Sequence, residues 1–323
     1  MVEESTASTG VGPQYNPRQL VSILSSGLSW IDLLFLGRPH AIATVVVRGA
    51  GTIALIDPGP SSCLESLELG LQQQGLRLSE VTHLLLTHVH LDHAGATGTI
   101  VRRHPEIQVL VHERGAPHII DPDKLLASAA RLYGDQMSRL WGEVTSVPAS
   151  NVIVLGDRDE KHVGGRMLES AYTPGHAAHH VSYFDPSTRI AFVGDTAGVC
   201  IDDGYVLPPT PPPDIDLDLW RKSVARIEAW NPETLFLTHF GPVTQPRPHM
   251  QTLLENLDMM AEWVRGWLSE PGTEESRKAR FGEQLLRELR RRMTESQLAA
   301  YGLAAPPDLL WLGLARYWRK KLS

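Results

Sequence analysis

The chain has 323 residues, longer than the ~100–200 of an ordinary domain, so one large domain or a domain with an appendage is expected. Hydrophobic residues make up 42% and charged residues 21%, values that allow a sizeable core and exclude a fibrous, disordered or disulfide-dense chain. A net charge of −7 gives no general attraction to nucleic acid or to an anionic membrane, and two cysteines, Cys63 and Cys200, cannot build a disulfide framework.

The leading residues, MVEESTASTGVGPQ, are acidic and polar and lack the charged-then-apolar order of a secretory signal. A cytoplasmic protein is therefore expected, which suits reduced cysteines. No stretch reaches the ~20 apolar residues of a membrane span, and the early candidate at 30–36 is short and contains Asp32. Next come two β-branched runs, 44–47 and 52–56, joined by Arg-Gly-Ala-Gly as a hairpin. The second ends in Asp57-Pro58-Gly59-Pro60. A helix is predicted from 61 to about 75 with Leu64, Leu67 and Leu71 on one face, then a buried strand at 82–87. Beyond it, 98–103 reads as helix, 108–111 as strand and 124–140 as one helix with Leu125, Ala129, Leu132 and Leu140 inward; His112 reads as a helix-start residue. Strand signals return at 152–155, 167–173, 181–184 and 190–193. A helix at 216–230 then leads into a last strand at 234–238. Strands and helices thus occur twice in similar order, the pattern of a mixed α/β architecture.

From residue 246 the strand pattern stops. Met250, Leu253, Leu257, Met260, Ala261 and Val264 recur at helical spacing, 281–293 and 308–321 read as helices, and Thr294 with Gln297 forms a capping box between them. Over 276–323 eleven Lys/Arg face four Asp/Glu, so this tail is +7 and the rest of the chain −14. The division is a domain over 1–245 and an all-helical extension over 246–323.

Thr87-His88-Val89-His90-Leu91-Asp92-His93-Ala94-Gly95 is the densest chemical signal. His88 and His90 alternate from an extended segment so that two imidazoles converge, and Asp92 and His93 follow as the chain turns into a helix. Imidazole and carboxylate together suit zinc and first-row metals. Three further groups each follow a strand: His176 in Thr-Pro-Gly-His, Asp195 in Gly-Asp-Thr and His239 in Thr-His-Phe-Gly-Pro. Strand ends on one rim of a sheet are where α/β proteins gather ligands. Seven donors are enough for two ions.

HVHLDH, TPGH, GDT and THFGP in this order resemble the metallo-β-lactamase-fold superfamily, in particular its glyoxalase II-like hydrolases, over about residues 40–245. The resemblance implies a four-layer αββα sandwich with the site along one edge and two divalent ions, zinc first, with iron or manganese as alternatives. His88, His90 and His176 would hold one ion, Asp92, His93 and His239 the other, and Asp195 both; Asp57 would support the ligands. The lactamases often carry a cysteine where Asp195 stands, so antibiotic hydrolysis is not expected. The large inserted domain of the nucleic-acid-cleaving branches is missing, so neither nucleic acid nor membrane is expected as a partner.

The expected reaction is attack by a metal-bridged hydroxide on an ester-type carbonyl, with Asp92 and Asp195 as catalytic groups. A thioester is the first choice, and a lactone or other ester the next. Alternatives are an iron-dependent sulfur dioxygenase-like oxidoreductase, or a regulatory metal-binding protein with residual hydrolase activity. His179, His180 and Tyr205 are candidate substrate contacts. The loop 200–213 and the tail are candidate covers of the site. Arg287, Arg290 and Arg291 would meet a small anionic substrate such as a coenzyme A thioester, and the helices serve alternatively as a homodimer interface.

Overall fold

The computed structural model describes residues 19–49 and 51–323; the polar leader and part of the Arg-Gly-Ala-Gly turn lie outside them. The first sheet runs in chain order: β1 (Val21–Ser25), β2 (Leu28–Asp32), β3 (Ala43–Gly49), β4 (Thr52–Ile56), β5 (His83–Leu85), β6 (Gln108–His112) and β7 (Val152–Leu155). The second comprises β8 (Glu160–Val163), β9 (Arg166–Tyr172), β10 (Val181–Asp185), β11 (Ile190–Phe192), β12 (Thr234–Leu237) and β13 (Gly241–Val243), again in chain order across the sheet. β1 to β4 pair antiparallel and β4 to β7 parallel.

Period-two alternation explains why the sheets stack face to face. In β3, Val45 and Val47 point into the layer between the sheets while Val46 points outward, and in β4 Ala54 and Ile56 do the same against Ile53 and Leu55. The outward side chains are covered by α1 (Leu64–Gln73), the single turn α2 (Leu91–Ala94), α3 (Thr97–Arg103), α4 (Ala116–Ile120), α5 (Asp123–Tyr133) and α6 (Met137–Trp141). α7 (Leu217–Ala229) and α8 (Pro246–Leu268) cover the second sheet, and α9 (Glu274–Arg290), α10 (Glu295–Ala304) and α11 (Pro307–Leu322) complete that layer. The architecture is the αββα sandwich with a helical C-terminal region. Phe281, Leu285, Trp311 and Leu314 of the tail share one buried cluster with Val193, Leu235 and Leu237 of the second sheet.

Two expectations change. The helix expected over 124–140 is broken at Gly134, whose φ of +53° ends α5. His112 ends β6 rather than starting a helix. β1 and β2, a hairpin turning at Gly27 with six apolar residues in ten, are absent from the expected elements, as is β8, Glu-Lys-His-Val, a polar edge strand. The Thr294–Gln297 capping box forms as expected, with Thr294 N donating to Gln297 Oε1 at 2.9 Å.

Among the described residues no single helix is long and apolar enough to cross a membrane. α10 and α11 reach that composition only as a pair bent by 47°, and Tyr301, Trp311 and Leu314 within them are buried in the tail's core.

Candidate metal centre

Five strand ends, those of β4, β5, β9, β11 and β12, deliver the site to one rim. β4 ends at Asp57, whose backbone is left-handed (φ +52°), a conformation aspartate tolerates better than most residues. That turn aims its carboxylate across both sheets. Oδ1 accepts from Thr87 N at 2.8 Å; Oδ2 accepts from Thr87 Oγ1 at 2.7 Å, His93 Nδ1 at 2.8 Å and Thr238 Oγ1 at 3.0 Å. Asp57 thus ties the end of β5, the start of α2 and the end of β12 together. His88 and His90 flank Val89, which is buried in the helical layer, so both imidazoles face the other way. His176 follows Gly175, where φ is +142° and an added Cβ would lie 2.4 Å from Trp220 Cα. Asp195 follows Gly194, where φ is +46° and a Cβ would lie 2.6 Å from Thr87 Oγ1.

Hydrogen bonds fix which nitrogen of each ring faces inward. A carbonyl oxygen only accepts, so His176 Nδ1–H donates to Pro209 O at 2.9 Å and His239 Nδ1–H to Ala41 O at 2.6 Å. His93 Nδ1–H donates to Asp57. Thr87 Oγ1 spends its proton on Asp57 and therefore accepts from His88 Nδ1 at 3.1 Å. When these four rings are neutral, Nε2 of each is a bare lone pair.

Those lone pairs meet. His90 Nδ1 lies 3.0 Å from both His88 Nε2 and His176 Nε2. One proton on His90 serves only one of these contacts, and the other leaves two lone pairs facing each other. Asp195 stands between two groups: Oδ2 is 3.3 Å from His176 Nε2, while Oδ1 is 3.1 Å from His93 Nε2 and 3.6 Å from His239 Nε2. Asp92 Oδ2 is 3.4 Å from His239 Nε2. His93 Nε2, His239 Nε2 and Asp195 Oδ1 are buried with no hydrogen-bond partner. Buried acceptors and charges without partners are costly, and cations among them resolve every such contact. Three groups have mutually close ligand atoms: His88, His90 and His176; His88, His93 and Asp195; Asp92, His93 and His239.

Electrostatics point the same way. Burial, reinforced by neighbouring imidazoles, holds His88 well below the ordinary histidine range and pushes His90 down to about 3. His93 and His239 are desolvated too, but carboxylates outweigh burial: Asp195, Asp57 and Asp92 drive His93 well up, and Asp195 with Asp92 raises His239. Burial alone would raise Asp92, yet His93 and His239 bring it down to about 2. The rim is a neutral-imidazole pocket beside a carboxylate pocket that demands positive charge.

A cavity of about 370 Å³ opens onto His90, Asp92, His176 and Asp195. Its other walls come from α5, Trp141, the proline loop at 209–213 and the corner between α10 and α11. His179 lines it; Val89 N donates to His179 Nδ1 at 3.4 Å, which leaves the proton of the neutral ring on Nε2. His180 is fully buried behind the ligand cluster, where its Nε2 accepts from Asp195 N at 3.2 Å. It positions a backbone rather than meeting a substrate. Tyr205 is likewise not at the cavity: it is buried in the tail's core under Arg292, and its carbonyl accepts from Tyr301 Oη at 2.6 Å. Arg287, Arg290 and Arg291 are solvated on α9 and paired locally with Gln284, Glu295 and Glu288. Among the described residues, Lys124 is the one Lys or Arg side chain lining the cavity.

Sequence reading missed Thr87 and Thr238, which join the cluster through Asp57; each directly precedes a histidine of the cluster. It also missed the carbonyls of Ala41 and Pro209, which carry no side-chain signal, and the α5 wall.

A model of the metallo-beta-lactamase superfamily matches residues 37–239. A metallo-beta-lactamase fold-containing protein of Sulfurisphaera tokodaii, ST1585, is 30% identical over 207 residues, 63% of this chain and 74% of that protein. A hydroxyacylglutathione hydrolase of Chromohalobacter salexigens is 30% identical over 146 residues, 45% of this chain and 42% of that one. The crystal structure of the family protein TTHA1429 from Thermus thermophilus has the same fold, with a TM-score of 0.70 at 22% identity over 92% of this chain and 95% of that chain. The superfamily match spans more than half of the sequence, and the chain belongs to the metallo-β-lactamase superfamily.

Proposed function

We propose that this member of the metallo-β-lactamase superfamily is a binuclear hydrolase of ester-type bonds, a thioester first and a lactone or other ester next. The observation that carries the reading is the inward convergence of Nε2 of His88, His93, His176 and His239 on two carboxylates, with Nδ1–H of each ring held outward by Thr87, Asp57, Pro209 O and Ala41 O. His88, His90 and His176 would hold one ion, Asp92, His93 and His239 the other, and Asp195 would touch both. Zinc is the first expectation; iron or manganese follows if availability decides. Bound there, the ions would supply Lewis acidity and bring the pKa of a water from ~15.7 to ~7.

The chain's own groups do the rest. Asp57 holds His93 and, through Thr87, His88 in the ligand tautomer, and Asp195 offers one oxygen to each half of the cluster. Asp92 lines the cavity and its side chain is 20% exposed, so among the carboxylates of the cluster it is the one placed to take a proton from, or return it to, a reacting group. His179 presents Nε2–H to the same space and would orient a substrate oxygen. Leu91, Pro209 and Leu310 keep bulk water from the rim. An anionic substituent would meet Lys124.

The test is metal content by elemental analysis after dialysis, combined with a panel of acyl thioesters, lactones and phosphodiesters. Two ions per chain and hydrolysis of thioesters are expected. A doubly loaded protein inactive on every ester-type substrate would overturn the proposal, as would a single iron with persulfide oxidation.

A further inference from the structure

α5 has an unusual relation to the core. Leu125, Ala129, Leu132 and Tyr133 recur at i, i+4, i+7 and i+8 and all line the cavity, whereas Ala129 alone in this helix is buried. Ala129 belongs to the core cluster of the first sheet's helical layer and Leu125 and Tyr133 pack against it; the same stripe also faces the space in front of Asp92 and Asp195, where Leu132 stands outside that cluster. Leu309 and Leu310 stand across from it. That opposite wall is held firmly: Thr210 Oγ1 donates to Leu310 O at 3.1 Å, and α11 approaches the proline loop so closely that a Cβ on Gly313 would lie 1.9 Å from Thr210 O. Apart from the ligand cluster, the only Lys, Arg, Asp or Glu side chains on the lining among the described residues are Lys124 and Asp214, both exposed at the mouth.

We propose that this channel takes the acyl chain of the substrate, an unbranched aliphatic or an aryl group of medium length, lying between α5 and the start of α11 with its carbonyl at Asp92 and Asp195. The assignment rests on the hydrolase reading above and adds to it the class of acyl group. At about 30 Å³ per water-sized group, 370 Å³ holds on the order of a dozen heavy atoms. A short acyl group would leave both apolar walls wet; a charged one would be desolvated without a partner.

The experiment uses the full-length, metal-loaded protein and N-acetylcysteamine thioesters from acetyl to hexadecanoyl, with 1-decanol as a probe that cannot be hydrolysed, followed by calorimetry. Each buried methylene is expected to raise kcat/KM about three- to fourfold until the channel is filled. Leu132→Trp and Leu309→Trp, which fill it from opposite walls, should each lower the decanoyl-to-acetyl ratio of kcat/KM at least tenfold and weaken decanol binding in parallel. Leu132 is half-buried, so that variant separates channel filling from loss of fold, and melting curves check it. Hydrolysis that is flat with chain length, without decanol binding, would overturn the acyl channel and leave the hydrolase reading standing. Decanol binding with no hydrolysis at any length would instead overturn the hydrolase reading and with it the acyl assignment.

Discussion

Replacing Asp57 by asparagine isolates the charge that organises the centre. Asparagine accepts the left-handed backbone at this position as readily as aspartate, so the φ of +52° does not confound the change as it would in an alanine variant. The amide has one oxygen where the carboxylate has two. If that oxygen occupies the Oδ2 position it keeps Thr87 Oγ1, His93 and Thr238, and the NH2 group then faces Thr87 N–H, a donor against a donor 2.8 Å apart in the parent. The reverse orientation strands three donors instead of one. The better choice still loses one charge-assisted bond, about 1.5–3 kcal/mol, and strands a buried N–H at about 1–3 kcal/mol. The three surviving bonds fall to roughly half strength. The lost bond and the stranded N–H alone amount to about 2.5–6 kcal/mol, so a loss of at least that size is expected, a large part of the ~5–15 kcal/mol of a typical domain. Because His93 and, through Thr87, His88 lose their orienting partner, metal affinity should fall about 10–100-fold as well. Urea unfolding of metal-free protein and chelator competition on loaded protein measure the two effects separately. A variant that unfolds within about 0.5 kcal/mol of the parent, the range of an ordinary surface change, and keeps its metal affinity would refute the assignment of Asp57 as the strut.

Asp195→Asn should cut turnover by orders of magnitude in soluble, folded protein, because a neutral amide is a poor partner for both halves of the cluster; steady-state kinetics with circular dichroism checks this. Gly175→Ala drives a methyl to 2.4 Å from the Trp220 backbone at a φ of +142°, so a loss of about 3 kcal/mol or more is expected, read from the melting temperature. Trp311 is fully buried and its indole donates to Glu274 at 2.7 Å; Trp311→Ala should cost about 3–5 kcal/mol, and removal of 271–323 should give insoluble protein rather than a soluble enzyme with raised KM. In metal-free protein, His90 takes up its proton only near pH 3 when folded but at its ordinary value near 6.5 when unfolded, so the unfolded chain binds more protons between these limits. His88 shifts in the same direction. His93 and His239, being raised, act with the opposite sign, but mainly above about 6.5, where the unfolded ring gives up its proton. Stability of the metal-free form should therefore fall as pH drops from about 6 to about 5, measured as the urea midpoint, and a midpoint that holds or rises over that range would show that His88 and His90 are not held neutral.

The ligand-bearing segments are legible because each combines a local pattern with a chemical one. HVHLDH ends a strand and opens a helix, and the Pro-Gly and Gly-Asp turns mark where His176 and Asp195 leave the sheets. Strands with strong β-branched content are legible for the same reason. β8 is not, since a polar edge strand exists only through the neighbour it pairs with.

What the sequence determined by itself is a mixed α/β chain with a helical tail and the segments that carry the candidate donors, because alternation, helical period and turn residues are short-range signals; the αββα layering came with the family resemblance. Only the tertiary structure decided how those donors are protonated and what the site faces. The carbonyls of Ala41 and Pro209 select tautomers across 198 and 33 residues of chain, distances at which no local pattern operates. The apolar stripe of α5 is the same on paper whether it packs on a core or walls a cavity, and it becomes part of the site because Gly134 breaks the helix and the α10–α11 corner arrives opposite it. Tyr205 and the arginines of α9 lie far from the cavity for the complementary reason: the tail buries its own stripe in the second sheet's core and turns its basic face to solvent.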